Sequence, residues 1–511
     1  MRLLPYGGHA LLAEVDTLEE SMQLGAALRA AELPYVIDLV VAERSVLVVT
    51  DGAPDGLRRD LPQLLSDTDP VAAPAAEVVE LPVTYDGPDL DEVASLTGLS
   101  PEQVVTAHTE QPWVVAFGGF VPGFAYLTGG DARLEVPRRA DPRTRVPAGA
   151  VGLGGRYSGV YPRESPGGWQ LIGRTDVELW NADRDPPALL RPGARVQFVD
   201  ATRTPQAAPS LPPARASTHP VAEGRPPAAG SERAVEVLAV GAQVLVQDLG
   251  RPGMAGWGVG RGGAADRGAH RLAQRLVANE EHAAGLEVLL GGLRLRARGE
   301  LLVAVTGAPA PVHVDGRPLP ANAPIRVPDG AELRLGTPPR ALRSYVAVRG
   351  GLTVPAVLGS RSTDTLAALG PAPVAVGELL RVGDPPERWP VIDVAPQPSM
   401  QPDLVRLRVS PGPRFDRLVD PAQLARDWTV SEHTDRVGVR LIGAALTTSA
   451  QPGAPSEGAL PGAVQVPPNG RPLVFGVDSP VTGGHPVVAV VEDTDALAQL
   501  RPGQRVALHW R

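Results

Sequence analysis

Apolar positions along the chain change period several times. Ala10 to Val15 is an apolar run suited to a strand, and Leu18 to Ala31 carries apolar residues at helical spacing (Leu18, Met22, Leu24, Ala26, Leu28, Ala31). Ile37 to Val41 and Ser45 to Val49 read as strands, and Leu57 to Leu65 as a second helix. Strands alternating with helices in this way predict a small α/β sandwich. From Val83 the pattern shortens. Asp89 to Thr97 and Ser100 to His108 predict two short helices, the second with Ser100 as N-cap and Pro101 at its first position. Apolar runs divided by Gly and Pro follow at Trp113 to Phe117, Val151 to Leu153, Gln170 to Ile172 and Arg195 to Val199. An all-β barrel or sandwich has this pattern.

Ala201 to Arg233 breaks the series. Its 33 residues include 7 prolines and 8 alanines with almost no large apolar side chain, so it reads as a linker. Strands Val235 to Val240 and Gln243 to Gln247 open the second half, and Ala264 to Asn279 is its clearest helix. Short strands then run to the end, from Leu301 to Val305 through Leu404 to Val409, Val487 to Val491 and Arg505 to His509. An internal repeat is visible. Leu190-Arg191-Pro192-Gly193-Ala194-Arg195-Val196 matches Leu500-Arg501-Pro502-Gly503-Gln504-Arg505-Val506 at six of seven positions, with a weaker copy at Leu380 to Asp384. Gly149-Ala150-Val151 and Gly167-Gly168 precede the first copy, as Gly462-Ala463-Val464 and Gly483-Gly484 precede the last. The first-half barrel and the last segment therefore read as copies of one β-fold, with the middle segment as a third.

Composition narrows the chemistry. The chain has 511 residues, 57 of them Gly and 56 Pro, so turns are many and helices few. A net charge of -9 without a basic run argues against nucleic acid, and no stretch is apolar and long enough to span a membrane. No signal peptide is visible, and a cytoplasmic protein is the default. With no cysteine, thiol nucleophiles and thiolate metal sites are excluded. With no lysine, Schiff bases, a P-loop lysine and a biotinyl-lysine on this chain are excluded. The nine His form no metal-binding spacing. Gly258-Val259-Gly260-Arg261-Gly262-Gly263 fits GxGxxG, but the strand before it ends near Gln247 and no βαβ alternation follows, so it is not a dinucleotide fingerprint. It is either a plain corner or a loop that offers an anion the start of a helix.

At this level the blocks become recognisable. GFVPGFAYL (119–127), VPRRADPRTRVPAGAVGLGG (136–155), YPRESPGGWQLIGRT (161–175) and LLRPGARVQF (189–198) resemble the B subunit of bacterial 5-oxoprolinase, also called allophanate hydrolase subunit 1 or the sporulation kinase inhibitor family. QDLGRPG, GGAADRGAHRLAQRLVAN, VRGGLTVPAVLGSRSTD, TDRVGVRL, SEGALPGAVQVPPNGRP and TGGHP resemble the C subunit, the biotin-dependent carboxyltransferase-like or kinase-inhibitor antagonist family. One departure is GGRYSGVYP, Gly154 to Pro162, where that family more often has a Gln-Thr-Gly turn.

The resemblance implies a mainly β protein: a ferredoxin-like domain at 1–82, a cyclophilin-like barrel at 83–200, a linker at 201–233, and cyclophilin-like domains at 234–395 and 396–511. It implies ATP-dependent opening of 5-oxoproline to glutamate with a separate A subunit. ATP with Mg would act at the level of the complex, and biotin only if a partner supplies it. The alternatives are a biotin-dependent carboxyltransferase acting on a urea-like amide, as in urea amidolyase, and a regulator of a histidine kinase. A homo-oligomer is also expected. Such chemistry needs arginines for anions, glycine-turn N–H groups and a carboxylate to position water. The catalytic candidates in these blocks are Asp266, Glu287, Asp364, Asp435, Glu457, Asp478 and His485. Candidates for substrate binding are Arg349, Arg361, Arg436, Gln465 and Thr482 in the C-like half. In the B-like half they are His108, Tyr126, Arg138, Arg139, Tyr161, Ser165, Trp169 and Arg174, and no metal ligand is expected.

Overall fold

Strand Ala10–Glu14 is buried on both faces, and its alternation shows why. Leu11 and Ala13 point with Val46 and Val48 into one apolar cluster, shared with helix Leu18–Ala30 and with Phe117, Phe124 and Tyr126. Ala10 and Leu12 point the other way, with Leu47 and Val40, against Phe475, Val487 and Val490 near the end of the chain. A period of two in a near-continuous apolar run thus packs one sheet against two neighbours. The computed structural model describes residues 1–66, 78–201, 215–216, 233–396, 402–449 and 456–511. Most of the Pro/Ala-rich segment at 201–233 lies outside them.

The N-terminal sheet has four antiparallel strands. Arg2–Pro5 and Val36–Val41 lie at its edges, and Ala10–Glu14 and Ser45–Thr50 lie inside. Helices Leu18–Ala30 and Asp55–Ser66 complete it. Helices Leu90–Thr97 and Pro101–Glu110 follow. Ser100 caps the second through a reciprocal box: its hydroxyl accepts from Gln103 N–H at 3.3 Å, and Gln103 Oε1 accepts from Ser100 N–H at 2.8 Å.

The internal repeat is a repeat of topology. In the first barrel the strand order is Val78–Val83, Arg195–Asp200, Trp113–Gly118, Ala125–Thr128, Tyr157–Val160, Ala150–Gly154, Gln170–Arg174. In the last barrel, which closes, the corresponding order is Leu404–Pro411, Arg505–Trp510, Asp427–Val430, Gly438–Ile442, Leu473–Phe475, Ala463–Gln465, Val487–Val491. In both, the strand after the RPG turn runs parallel to the first strand and all other neighbours are antiparallel. The accessory pairs also match: Ser165–Gly167 beside Arg143–Val146, and Thr482–Gly483 beside Glu457–Gly458.

Between the barrels, residues 234–382 form a six-stranded and a five-stranded sheet over one apolar core. The weaker sequence copy at Leu380 to Asp384 does not occupy the repeated position. Its strand, Leu379–Arg381, runs antiparallel to Ala234–Val240, whereas the RPG strands of the other copies run parallel to their first strands. The helix expected at Ala264 to Asn279 spans Arg267–Leu276; it starts where the Asp266 carboxylate caps Ala269 N–H at 2.8 Å.

Candidate functional site

The two repeated barrels face each other across a cavity of about 1080 Å³. The first barrel supplies Phe117, Tyr126, Arg138, Arg156 and Tyr157, and Glu43 joins them from the N-terminal unit. Opposite, the last barrel supplies Thr447, Thr448, Ser449, Ser456 and the turn Gly484-His485-Pro486. The floor is aromatic: Phe117 stacks on Tyr126 with centroids 4.5 Å apart, and Trp169 lies edge-on behind Tyr126 at 5.6 Å. Arg138 is exposed and rides over the Trp169 ring, 6.0 Å from its centroid, so a cation stands over an apolar floor.

The turn bearing His485 is held from below. Gln465 is buried and donates its Nε2–H to the His485 carbonyl at 3.1 Å. A Cβ on Gly483 would fall 2.2 Å from Gln465 Nε2, so a side chain fits here only if Gln465 gives up its place. Thr482 accepts from Phe120 N–H at 3.2 Å, which ties the turn to the first barrel. Glu457, on the strand paired with Thr482–Gly483, receives Arg414 Nε–H at 2.8 Å, and Arg414 also bonds Glu14 of the N-terminal sheet at 2.7 Å. The His485 ring is exposed on the cavity side. Partial burial holds its pKa below the ordinary 6.5, so it is neutral at pH 7 and able to accept a proton. Burial raises the Tyr126 hydroxyl, which stays protonated.

Of the residues singled out from the sequence, Tyr126, Arg138 and His485 line this cavity, and Trp169, Gln465, Thr482 and Glu457 stand just behind it. A second group assembles elsewhere. Arg436 donates to Glu287 at 2.6 Å and to both oxygens of Asp478 at 2.8 and 2.9 Å, all deeply buried. Asp478 also accepts from Thr365 N–H and Oγ–H, and Glu287 from Ala265 N–H and the Tyr345 hydroxyl. Asp364 accepts from the N–H groups of Leu366 and Ala367, and Asp266 from Gln499. Burial raises both carboxyls to about 6, helped at Asp364 by the Asp478 charge. Asp435 folds its own turn, accepting from Val437 and Gly438 N–H. This cluster joins the last barrel to the unit before it.

The remaining candidates do not line this cavity. His108 sits in the core between Tyr85 at 2.7 Å and Ser158 at 2.8 Å, stacked on Phe198, and burial lowers it to about 3. Arg349 spends its guanidinium on the Val277, Pro386 and Arg388 carbonyls, and Arg361 donates Nε–H to the Val354 carbonyl. Arg139 pairs with buried Asp89 and Arg174 with exposed Asp86. Tyr161 is packed over Gly167, where a Cβ would meet its hydroxyl at 2.3 Å, and Ser165 is buried in the adjacent strand. At the Gly-rich corner SPGGW the Tyr161 ring approaches the backbone closely.

Sequence reasoning missed Glu43, Arg156, Tyr157 and the hydroxyls at 447–449. Arg156 and Tyr157 had a signal, since they lie in the GGRYSGVYP segment that departs from its family's usual turn. Glu43 lies between two strands of another unit and had none.

Known proteins share this arrangement. The sequence model of the carboxyltransferase domain, subdomain C and D, matches residues 1–190, and that of subdomain A and B matches residues 257–510. The 5-oxoprolinase B subunit of Escherichia coli O157:H7 is 43% identical over 179 residues, covering 34% of this chain and 82% of its own length. The 5-oxoprolinase C subunit of E. coli K12 is 36% identical over 284 residues, covering 53% and 89%. The chain belongs to the carboxyltransferase-domain family of the 5-oxoprolinase B and C subunits. In this family member the two modules share one polypeptide. A crystal structure of TTHA0988 has the same span: TM-score 0.82, 34% identity, 98% of this chain and 99% of that one. Urea amidolyase of Saccharomyces cerevisiae is 30% identical over 307 residues, 53% of this chain but 16% of its own length. The two modules contribute opposite walls of the junction cavity, the C/D module residues 43–157 and the A/B module residues 446–486.

Proposed function

We propose that this chain is the B–C portion of an ATP-dependent 5-oxoprolinase. Acting with a separate A subunit, it opens the 5-oxoproline lactam to glutamate in the junction cavity. One observation carries the reading: the cavity is built jointly by two modules whose relatives are the B and C subunits of 5-oxoprolinase, so neither module alone has the site.

The lactam ring is small and largely apolar with one carboxylate. Arg138 over the aromatic floor suits the carboxylate, and Tyr126 and Phe117 suit the ring. A lactam is resonance-stabilised, and phosphorylation of its oxygen, with phosphate drawn from ATP, makes its carbonyl carbon electrophilic. Neutral His485 then accepts a proton from the attacking water, and the C–N bond breaks with the ring nitrogen taking up a proton, leaving γ-glutamyl phosphate; a second water attacks this acyl phosphate and releases inorganic phosphate, giving glutamate. The turn around Gly483 and Gln465 holds the His485 backbone in place.

This chain's residues do not fit a magnesium–nucleotide site. It has no lysine for a phosphate loop, and among the described residues no group of three or more His, Asp or Glu side chains could hold a metal ion. We therefore place nucleotide with magnesium at the level of the complex with the A subunit. A second reading, carboxyl transfer to a urea-like amide, is favoured by the likeness to urea amidolyase. It requires biotin carried by a partner, because this chain has no lysine to bear it. Mixing the chain with a cognate A subunit, ATP and 5-oxoproline tests the first reading: glutamate forms only when all are present. Absence of ATP-dependent glutamate overturns it.

A further inference from the structure

A second cavity, of about 590 Å³, lies where the N-terminal sheet, the Gly258–Gly263 loop and the last barrel meet. It shares no lining residue with the junction cavity. Arg261, Arg267 and Arg511 line it. Arg511 is exposed and faces Glu492 at 3.9 Å, whereas the other two are under-partnered. Arg261 Nε is fully buried and has no hydrogen-bond partner. Arg267 makes one long side-chain bond, Nη2–H to the Gly262 carbonyl at 3.3 Å. Burial, and then the neighbouring Arg261 charge, lower Arg267 to about 9.

The Asp38 and Asp51 charges support Arg261 and the Asp495 charge supports Arg267, but burial outweighs them and lowers both arginines. Both oxygens of Asp495 accept backbone N–H groups, of Arg267 at 2.8 Å and Gly268 at 3.0 Å. This fills the start of helix Arg267–Leu276 with a protein carboxylate, so no anion binds at those N–H groups. Asp38 accepts Ala255 N–H at 3.1 Å, and burial holds its pKa above the usual range. Glu492 accepts from the Ser410 hydroxyl at 2.6 Å. Two adjacent, under-solvated and under-partnered guanidiniums on a cavity wall are costly without an anion and favourable with one. Their forks suit a tetrahedral oxyanion of two charges. Ile37, Val40, Val49 and Val481 form an apolar stretch of the wall, His9, Ser479, Thr494, Asp38 and Glu492 also line it, and the volume far exceeds that of a bare phosphate.

We propose that this cavity is a second ligand site, separate from the lactam site, which takes a phosphorylated small molecule with its phosphate on Arg261 and Arg267 and its organic part on the Ile37–Val481 wall. No metal or lysine is needed for such an oxyanion.

The test is calorimetric titration of the full chain, without any A subunit, using inorganic phosphate, phenyl phosphate and benzoate. Phenyl phosphate should bind saturably in the millimolar range or tighter, ahead of inorganic phosphate, and benzoate should bind weakest. Arg261→Gln should weaken phenyl phosphate by about tenfold or more while leaving the melting temperature unchanged without ligand, since the Arg261 side chain holds no other group in place. Arg267→Gln should do the same, and the thermal stabilisation by phenyl phosphate should vanish in both. Absence of saturable binding, binding unaffected by Arg261→Gln, or benzoate binding as tightly as phenyl phosphate would each overturn the proposal.

Discussion

Arg436, in the loop before strand Gly438–Ile442, donates to Glu287 of strand Gly285–Leu289 at 2.6 Å, and both side chains are buried. Burial alone would lower the arginine and raise the carboxyl. The Asp478 and Glu287 charges instead push Arg436 well up, and Arg436 with Arg343 pulls Glu287 below its usual value. This pair therefore locks the last barrel to the unit before it. Removing one partner leaves a buried uncompensated charge, so Arg436→Met should cost about 3–5 kcal/mol in urea unfolding. Adding Glu287→Gln and Asp478→Asn should recover part of that loss. A loss below about 1 kcal/mol for Arg436→Met contradicts the lock.

Asp266 predicts a dependence of stability on pH. Its folded pKa is raised by burial from 3.8 to about 6. A raised carboxyl binds its proton more tightly when folded, so its contribution is fully present below about 3.8 and is lost as pH rises through about 6. Asp266→Asn keeps a capping oxygen and should flatten the stability profile between pH 4 and 6 by roughly 3 kcal/mol at most. Glu287 works in the opposite sense: its lowered pKa gives stability above about 4.5, lost as the pH falls below that. Urea midpoints measured from pH 3.5 to 8 check both slopes.

Gly483, two residues before His485, is a steric requirement. Gly483→Ala would drive its Cβ into Gln465 and displace the donor that holds the His485 carbonyl. Turnover in the reconstituted complex should fall by about tenfold or more, since a misplaced catalytic group is costly. Gln465→Ala in the same chain should restore the fold of the turn but not the rate. Equal turnover in Gly483→Ala and the parent contradicts a positioning role.

His485 and Trp169 follow equivalent glycine pairs in the two barrels, yet they do different work. Trp169 is buried, packed against Gly154 and Gly159 and the Phe124 ring. Trp169→Ala should therefore cost about 3–5 kcal/mol of stability. His485 is exposed, so His485→Ala should leave the melting temperature within about a degree and remove about 10²–10⁴ of kcat/KM. In the parent, kcat/KM should fall as pH drops through a value below 6.5, and this limb should be absent in His485→Ala.

Much of this architecture was legible because it rests on local rules. The Ser100-Pro101 cap, the strands and the RPG repeat all follow from spacing and turn chemistry, and the repeat extends to the order of seven strands. Site residues were harder to read. Polar residues in family-like blocks, such as Asp364, Asp478 and Arg436, are chemically suited to catalysis but are consumed by partners within the fold, and only the packing of two units shows this. His108 reads as a substrate-binding candidate in a helix, yet its face is the apolar one, so the ring ends among Tyr85, Trp113 and Phe198. Glu43 reaches the cavity only because three units converge there, and no pattern within its own segment encodes that.

If the lactam is opened between the two barrels, the exposed cation above the aromatic floor must meet its carboxylate. The steady-state rate of ATP-dependent glutamate formation by the chain with its A subunit, compared between the parent and Arg138→Met, reads this contact. Arg138 is exposed and lies over the Trp169 ring, so the variant should fold with an unchanged melting temperature. With Arg138 receiving the substrate carboxylate, KM for 5-oxoproline should rise by about tenfold or more in the variant. Unchanged KM and kcat in a folded Arg138→Met complex would contradict the placement of the substrate in this cavity.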